Sequence, residues 1–407
     1  MSRLEELIQQ YCPDGVEYKR LGDIATLIRG GNFQKKDFTD SGVPCIHYGQ
    51  IYTHFGIHTT STIKYISPEV ARKSKIAKTN DIVMAITSEN VNDVGKCVAW
   101  LGDEDIAVSG HTAIIQHKQN AKYLSYYFHT SDFFTQKKRL AHGTKVIEIS
   151  PKALEDVLVP VPPLPVQEEI VRILDNFAEL QAELQAELQK RLQQYNYYRD
   201  KLLTFNDLNG GGYAVSVEWK KLGEIGKVCM CKRILKDQTS STGDIPFFKI
   251  GTFGGSADAY ISKELFDEYV KKYSYPKKGD ILISAAGTIG RTVVFDGNPS
   301  YFQDSNIVWL KHDESVVLNS YLRYIYSLNP WAISTGGTIA RLYNDNILNA
   351  VIPVPPLEEQ QRIVDILDRF DKLTTDITSG LPAEIEARRK QYEYYRDQLL
   401  TFKQKAS

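Results

Sequence analysis

The chain has 407 residues, with 49 Lys and Arg against 50 Asp and Glu, a formal net charge of −1 and a pI near 6.7. This length suggests two to three domains of ordinary size, each able to bury its own core. The balanced charge lacks the overall basic signature of a nucleic-acid binder, although acidic helices could mask locally basic surfaces.

The chain begins with MSRLEELIQQY, which predicts a short amphipathic helix, and no stretch approaches the roughly 18 apolar residues that a membrane span needs. An odd number of cysteines without Cys-x-x-Cys spacing favours neither a disulfide framework nor a zinc site. The five are Cys12, Cys45, Cys97, Cys229 and Cys231. We therefore expect a soluble cytoplasmic protein.

An α/β domain is predicted next. Segments with the β-branched and aromatic content of strands, bounded by Gly, Asn and Asp, lie at 43–51, 81–87, 96–101 and 106–116. Leu124–Leu140 has the pattern of a helix, and the loop His142–Lys145 follows it.

The strongest periodic pattern covers Val166–Phe205, where apolar residues recur mostly three or four apart. This pattern predicts one continuous helix, and about 40 residues at about 1.5 Å each make a rod of about 60 Å. Inside it the tetrapeptide Ala-Glu-Leu-Gln occurs three times in succession, over 178–189. The stretch Asn206–Gly212 then has the composition of a flexible joint.

The same order of elements then recurs, which is the mark of an internal repeat. EYKRLGDI at 17–24 returns as EWKKLGEI at 218–225. Strands are predicted at 246–251, 280–284, 292–296 and 306–310, a helix near 317–327, and a loop at Gly336–Ile339 that matches His142–Lys145.

The rod also recurs. VPVPPLPVQEEIVRILDNF at 159–177 returns as IPVPPLEEQQRIVDILDRF at 352–370, and QYNYYRDKLLTF at 194–205 returns as QYEYYRDQLLTF at 391–402. The second rod has four extra residues around Ser379–Pro382, and Gly followed closely by Pro ends one helix and starts another. We therefore expect a continuous first rod, a broken second rod, and antiparallel pairing of their apolar stripes about a pseudo-twofold axis.

The predicted fold is thus a multidomain α/β (α+β) protein with two α/β domains separated by two long helical regions. The predicted boundaries are 1–157 for the first domain, 158–212 for the first helical region, 213–350 for the second domain and 351–407 for the second helical region.

Catalytic motifs are missing from the sequence. An amino-methyltransferase needs an Asn/Asp-Pro-Pro-aromatic loop, whereas the double prolines here stand in Val-Pro-Pro-Leu at the helix starts. Gly95-Lys96 lacks the upstream glycine and the Ser or Thr of a phosphate-binding loop. His54 and His58 lie in a Gly- and Thr-rich segment rather than on one helix face, which disfavours a metal site. We therefore predict neither catalysis nor a bound metal.

The PVPPL-x-x-Q-x-x-I-V-x-I-L-D start of each rod, the Y-x-Y-Y-R-D-x-L-L end and the tandem tetrapeptide resemble the specificity subunit of Type I restriction–modification systems. The resemblance covers essentially the whole chain. It implies two target-recognition domains, each reading one half of a bipartite, asymmetric site in double-stranded DNA, with the helices as spacer.

The resemblance also implies that the chain has no catalytic activity, docks two methyltransferase subunits, and is joined by restriction subunits that supply motor and nuclease. This chain would then bind no cofactor, and S-adenosylmethionine, ATP and Mg would belong to the partner subunits. Two other classes stay open: a pseudo-dimeric adaptor whose domains bind proteins, and a methyltransferase that acts alone.

Candidate DNA contacts are polar residues in corresponding loops of the two domains, because phosphates attract Lys, Arg and small donors while base edges pair with Arg, Lys, Asn, Gln, Ser or Thr. In the first domain they are Arg29, Lys35, Lys36, Tyr48, Gln50, Ser88, Asn90, Lys96, Thr144 and Lys145. In the second they are Lys232, Arg233, Lys249, Thr252, Thr288, Arg291, Thr338 and Arg341. Any one of them could equally be a solvated surface side chain.

The tyrosine-rich rod ends are candidates for subunit docking, since three tyrosines in four positions cannot all face one stripe of a helix. These candidates are Tyr195, Tyr197, Tyr198, Arg199, Tyr392, Tyr394, Tyr395 and Arg396. Packing on the chain's own domains is an equally open alternative.

Overall fold

The structure is a computed structural model that describes residues 2–205, 217–332, 341–376 and 378–405. The chain divides into two compact units. Unit 1 comprises Met1–Gln185 together with Glu384–Ser407, and unit 2 comprises Ala186–Ala383. Unit 1 is therefore assembled from two separated segments of sequence, whereas unit 2 is continuous. The predicted joint Asn206–Gly212 lies outside the described residues.

The first half of the chain alternates short strands and short helices before one long helix. Its helices are α1 (Arg3–Tyr11), α2 (Leu21–Ile24), α3 (Tyr48–Thr53), α4 (Pro68–Arg72), α5 (Ala121–Tyr127), α6 (Ser131–Leu140), α7 (Pro151–Leu154) and α8 (Leu164–Thr204). Its strands are β1 (Tyr18–Arg20), β2 (Ala25–Arg29), β3 (Phe38–Thr39), β4 (Val43–Ile46), β5 (His58–Thr59), β6 (Lys64–Ile66), β7 (Lys75–Ala77), β8 (Ile82–Ala85), β9 (Thr87–Ser88), β10 (Cys97–Trp100), β11 (Ile106–Val108), β12 (Thr112–His117), β13 (Ile147–Glu148) and β14 (Leu158–Pro160).

Unit 1 is built on two five-stranded sheets, in the orders β2-β12-β8-β10-β5 and β3-β6-β4-β11-β7. The central strand β8 is buried on both faces, which explains its unbroken apolar run. Ile82 and Met84 face the core beneath α5, while Val83 and Ala85 face a second core between the sheets. Two-stranded ladders β1-β14 and β13-β9 complete the unit.

The second half repeats this pattern with fewer elements. Its strands are β15 (Glu218–Lys221), β16 (Lys227–Met230), β17 (Ile245–Phe248), β18 (Tyr260–Ile261), β19 (Ile281–Ser284), β20 (Thr292–Val294), β21 (Tyr301–Phe302), β22 (Ile307–Lys311) and β23 (Val351–Val354). Its helices are α9 (Leu222–Ile225), α10 (Lys263–Lys272), α11 (Asn319–Ser327), α12 (Asn344–Leu348), α13 (Leu357–Thr375) and α14 (Leu381–Leu399).

Unit 2 contains a four-stranded sheet in the order β16-β22-β19-β20 and a three-stranded sheet in the order β18-β17-β21. The first matches β2-β12-β8-β10 of unit 1 strand for strand, and the second matches β6-β4-β11. The ladder β15-β23 corresponds to β1-β14. The repeat that the sequence predicts is therefore present in the strand order.

The predictions of a continuous first rod and a broken second rod are confirmed. Helix α8 runs without a break for 41 residues, and the second rod is divided into α13 and α14. At the break, the Gly380 amide donates to the Asp376 carbonyl at 2.9 Å. A Cβ at Gly380 would lie 2.6 Å from the Lys372 carbonyl oxygen, so only glycine fits there without a shift.

A buried glutamine explains the motif that starts each rod. The Gln167 side chain is fully buried; it accepts from the Asn120 amide at 3.0 Å and donates to the Pro162 carbonyl at 2.7 Å. In unit 2 the equally buried Gln360 accepts from the Leu318 amide at 2.8 Å and donates to the Pro355 carbonyl at 2.7 Å. The spacing Pro-Pro-Leu-x-x-Gln thus ties each helix start to its own domain.

Three predicted segments of unit 1 differ from the structure. The segment 43–51 changes from strand β4 to helix α3, because the His47 side chain accepts from the Gly49 amide and begins the helix. The segment Leu124–Leu140 forms two helices, since Thr130 caps the second by accepting from the Phe133 amide. The segment 106–116 is divided at Ser109–His111 into β11 and β12, which belong to different sheets.

Within the described residues, the hydropathy and charge of every helix are unsuited to crossing a lipid bilayer.

Candidate nucleic-acid interface

In unit 1 the candidate DNA-contacting loops meet around the residues Ser109–His111, which we name the first hub loop. Its serine hydroxyl accepts from the Tyr48 amide at 3.0 Å, and the Gly110 carbonyl accepts from Arg29 Nε at 3.2 Å. The His111 Nδ1 lies 3.2 Å from the Thr87 hydroxyl. One short loop therefore contacts the last residue of β2, the start of α3 after β4, and strand β9 after β8.

The strand register explains this convergence. Strand β12 begins directly after the first hub loop, and its Thr112 and Ala113 pair with Ala85 and Arg29, the last residues of β8 and β2. All three strands thus begin or end at the same edge of the sheet, which is formed by strand ends and not by an edge strand. Because loops at such an edge lie side by side on a rigid scaffold, they can act on one ligand together.

Aromatic rings line this edge. The Tyr48 ring lies 4.4 Å from the His47 ring and 5.1 Å from the His111 ring, the latter in an edge-to-face arrangement. Burial, together with the charge of Lys35 and the nearby His111, lowers the pKa of His47 to about 4. His47 is therefore neutral at pH 7 and supports Tyr48 by packing rather than by positive charge.

Positive charge at the edge comes from exposed lysines. Lys35 and Lys36 form a short 3-10 helix with Asp37, and Lys145 lies with Thr144 in the exposed loop before β13. Strand β13 belongs to this edge because its Glu148 carboxylate lies 3.0 Å from Arg29 Nη2. Arg29 is thus held by the protein, whereas the lysines extend into solvent.

Other unit 1 candidates are less favourably placed for DNA. The Gln50 side chain is buried and accepts from the His47 amide at 2.8 Å, so it stabilises the start of α3. Asn90 and Lys96 both bond to the Asp93 carboxylate, at 2.8 and 2.6 Å. These bonds hold the pKa of Asp93 below its usual range, with the Lys96 contribution the largest. Ser88 is half-buried in β9.

Unit 2 has an equivalent centre at Gln303–Asn306, which we name the second hub loop. The Gln303 side chain accepts from the Ile250 amide at 2.9 Å, and the Asp304 carboxylate accepts from Arg233 Nε at 3.0 Å. The Ser305 carbonyl accepts from Arg341 at 2.8 Å. As in unit 1, the loop directly precedes a strand, β22, whose first residues pair with the last residues of β16 and β19.

The remaining unit 2 candidates lie in neighbouring loops. Lys249 lies 2.8 Å from Asp258, and the Thr252 hydroxyl accepts from the Lys249 amide. Arg291 donates to the Gly254 carbonyl at 3.4 Å, and the Lys232 ammonium lies 5.3 Å from the centre of the Tyr273 ring. Thr288 is exposed, and Thr338 lies outside the described residues.

The hub loops themselves escaped prediction. The first lies inside a run that the sequence suggests is one strand, although its Ser-Gly-His is a turn signal. The second, Gln-Asp-Ser-Asn, has the composition of a turn between two apolar strands. The residues missed in this way are His47, Thr87, Ser109, Gly110, His111, Gln303, Asp304 and Ser305.

In unit 2 the three tyrosines of α8 separate into different roles. Tyr195 packs on the core, and the Arg199 guanidinium lies 5.8 Å from its ring centre. Tyr198 stacks on Phe370 of α13, with ring centres 6.0 Å apart. Tyr197 is 60% exposed. Of the three candidates, Tyr197 is therefore the one whose ring is chiefly available to another molecule.

Unit 1 repeats this separation on α14. Tyr392 packs on the core with the Arg396 guanidinium 5.8 Å from its ring centre, and Tyr395 stacks on Phe177 of α8 at 5.6 Å. Tyr394 is 61% exposed. Two rings of each triplet thus pack on the chain's own helices and core, and one faces solvent. Docking of a subunit at the exposed ring stays a prediction.

Metal-binding geometry is not found in the described part of the chain: no group of three or more His, Cys, Asp or Glu side chains there is placed to hold an ion.

Two homologous α/β units, each with a polar hub at one sheet edge and each bearing part of a long helix, define an internally repeated two-site recognition protein. The chain belongs to the family described as Type I restriction modification DNA specificity domain, whose model matches residues 13–194 and 215–387.

Individual relatives agree with the family match. A putative type I restriction enzyme specificity subunit of Haemophilus influenzae is 53% identical over 306 residues, which are 72% of this chain and 76% of that protein. The EcoR124I/EcoR124II specificity subunit of Escherichia coli is 36% identical over 255 residues, 59% of this chain and 60% of that protein.

The fold is also similar to solved structures. The HsdS subunit from Thermoanaerobacter tengcongensis aligns with a TM-score of 0.53 and 17% identity, covering 96% of each chain. A chain from a structure on the complex assembly and conformational transition of the type I R-M system aligns with a TM-score of 0.63 and 18% identity, covering 95% of this chain and 97% of that one.

Proposed function

We propose that this chain is the DNA-recognition subunit of a Type I restriction–modification enzyme, in which each unit reads one half of a bipartite, asymmetric DNA site. The observation that carries the proposal is the pair of hub loops, which occupy equivalent positions and differ in side chains. Ser109–His111 is flanked by Tyr48 and exposed lysines, whereas Gln303–Asn306 is flanked by arginines. Different side chains at equivalent edges imply two different half-sites.

The chemistry of the two edges suits DNA. Exposed Lys35, Lys36 and Lys145 provide charge for phosphates, which position a protein on the duplex. His111, Gln303 and Arg341 carry donors and acceptors of the kind that read base edges in the major groove. The near-neutral net charge fits a recognition subunit whose partners supply further phosphate contacts.

In this proposal the chain has no catalytic activity and binds no cofactor, since S-adenosylmethionine, ATP and Mg belong to the partners. Two methyltransferase subunits dock on the helical regions, one at each exposed tyrosine, Tyr197 and Tyr394. Restriction subunits then join to complete the nuclease. The substrate is host and invading DNA, so the working compartment is the cytoplasm.

The test is co-expression with the methyltransferase subunit encoded with this chain, followed by single-molecule sequencing of the host DNA for modified bases. We expect one motif with two unlike halves and a fixed gap. His111→Ala should relax specificity only in one half and Gln303→Ala only in the other, each at a cost of roughly 1–3 kcal/mol in DNA binding. A stable complex that modifies no motif would favour the protein-binding adaptor.

The spacer should follow from helix α8. No side chain from Asp175 to Leu202, a fully described stretch, is buried, so the tandem tetrapeptide lies outside both cores. Deletion of Gln185–Leu188 removes about 6 Å and a little more than one helical turn, against about 3.4 Å per base pair. We predict a gap shorter by one or two base pairs with both half-sites unchanged. Sequencing of the modified motif measures the gap, and altered half-sites would refute the idea that the length of α8 sets the spacer.

A further inference from the structure

The two units differ in whether the last strand of their shared four-stranded sheet, β10 or β20, is covered by a further strand. In unit 1, β10 is covered by the parallel strand β5: the Ala99 amide donates to the Ile57 carbonyl at 3.0 Å, and the Leu101 amide donates to the Thr59 carbonyl at 2.9 Å. In unit 2 the matching strand β20 pairs with β19 and, among the described residues, with no further strand.

The sequence explains the difference. Seventeen residues separate Gly49 from Ser67 in unit 1, whereas ten separate the matching Gly251 from Ser262 in unit 2. The longer connection contains helix α3 and strand β5, and the shorter one contains a turn. Unit 2 therefore lacks, in this connection, the seven residues that would cover its own edge.

The uncovered edge has main-chain donors in position. Val294 pairs with Ile281 in the register in which Ala99 pairs with Ile82. Because the Phe295 amide donates at 2.9 Å to the carbonyl of Asp280, the residue directly before β19, the preceding amide, that of Val294, faces away from β19. The Val294 side chain is 45% exposed.

An apolar cavity of about 360 Å³ adjoins this edge. Its lining includes Phe248, Leu282, Val293, Phe295 and Phe302. The matching positions of the first four in unit 1 are Ile46, Val83, Val98 and Trp100, which pack against Ile51 of α3 and against Tyr52 and Phe55. The space that unit 1 fills with its own aromatic side chains is thus left open in unit 2.

We propose that the β20 edge and its cavity bind an extended segment of a partner protein, which adds as a parallel strand and inserts an apolar side chain into the cavity. Strand β5 of unit 1, seated on the matching edge, shows which occupant this geometry accepts. The cavity's apolar lining disfavours a phosphate backbone, whereas the spaced amides need carbonyl acceptors of another main chain. This inference rests on the proposed function, and the segment belongs to the methyltransferase subunit.

Hydrogen exchange on the unmodified chain tests the proposal. In peptic fragments that contain Thr292–Asp296, the outward amide of Val294 should exchange quickly in the free chain and about 10- to 100-fold more slowly once the methyltransferase subunit is bound. The Phe295 amide, which donates to the Asp280 carbonyl, should be protected in both states. Fragments containing Ala99 and Leu101 serve as the internal control, because β5 protects them in both states.

A matched pair of variants tests the main-chain donor. Val294→Pro removes the outward amide at an edge position, where proline is tolerated, while Val294→Thr keeps the amide and the branched shape. We expect Val294→Pro to weaken association with the methyltransferase subunit about 10-fold and Val294→Thr to weaken it less than about 3-fold. Exchange of fragments containing Leu282 shows whether each variant is folded.

Three outcomes would overturn the proposal: unchanged exchange at Thr292–Asp296 in the complex, protection that appears only when DNA is added, or equal loss of binding for the two variants. Modified bases are sequenced in the same cells. A methylated motif with an unprotected β20 would refute this inference alone, whereas a stable complex without any motif would refute the proposed function.

Discussion

Unit 1 and unit 2 share a central sheet and differ in what surrounds it. The strands β2-β12-β8-β10 and β16-β22-β19-β20 match in order and register, and both bury their central strand. The hub loops are Ser-Gly-His in one and Gln-Asp-Ser-Asn in the other. Packing constrains the strands, while loops at the sheet edge are free to vary, so one scaffold can present two recognition surfaces.

The units also differ in histidine content, and we expect the largest effect from this difference: a loss of stability in unit 1 at acidic pH. Seven of the eight histidines lie within the first 185 residues. Burial lowers the pKa of His47, His117 and His129 to about 4, so the folded unit 1 keeps them neutral while an unfolded chain would take up protons below about pH 6.5.

The stability from these histidines is therefore present above about pH 6.5 and is lost as the pH falls towards 4. At pH 5.5 we expect a loss of about 1 kcal/mol per histidine in unit 1, or about 3 kcal/mol together. Hydrogen exchange of fragments from each unit at pH 7.5 and 5.5, corrected for intrinsic rates, measures it. Equal losses of stability in both units would contradict the attribution of the loss to these three histidines.

The buried glutamines Gln167 and Gln360 stabilise the start of a long helix in both units, so their removal should destabilise both. Gln360→Leu leaves the Leu318 amide and the Val316 and Pro355 carbonyls without their partner, and we expect a loss of about 2 kcal/mol in unit 2. The exposed Gln361, which bonds only locally to Asp365, supplies the control Gln361→Leu, with little effect.

Gln167→Leu should cost unit 1 slightly less. One of its partners is the Gln119 side chain, which can turn towards solvent, whereas Gln360 bonds a main-chain carbonyl at the matching position. Denaturant unfolding followed by exchange in each unit compares the two variants. A larger loss for Gln167→Leu than for Gln360→Leu would refute this explanation.

The stacked tyrosines predict the smallest change in stability. Tyr198→Ala and Tyr395→Ala each remove a ring stacked on Phe370 or Phe177 and should cost about 1 kcal/mol. Tyr197→Ala and Tyr394→Ala should barely change the unfolding midpoint but weaken association with the methyltransferase subunit. Equal destabilisation by neighbouring tyrosines would remove the distinction between packed and docking rings.

Periodicity and repetition were sufficient to predict the long helices, the break near Gly380 and the two homologous α/β units. They failed where a capping side chain or pairing with a distant part of the chain determines the local structure. The His47 side chain starts α3 inside a strand-like run, and Ser109–His111 changes sheet within another. The hub loops could not be predicted from the sequence, because only the register of β12 and β22 brings the distant Arg29 and Arg233 to them.

The two-part construction of unit 1 has a consequence for synthesis of the chain. Val16 pairs through its main chain with Lys403 and Lys405, and Leu400 is buried in the same core as Leu174. Unit 2 is fully synthesised before these last turns emerge from the ribosome, and at about 5–20 residues per second the first core waits roughly 10–40 s for them. During translation the nascent N-terminal half therefore exposes apolar surface for the longest time, and chaperones should engage it before they engage the later half.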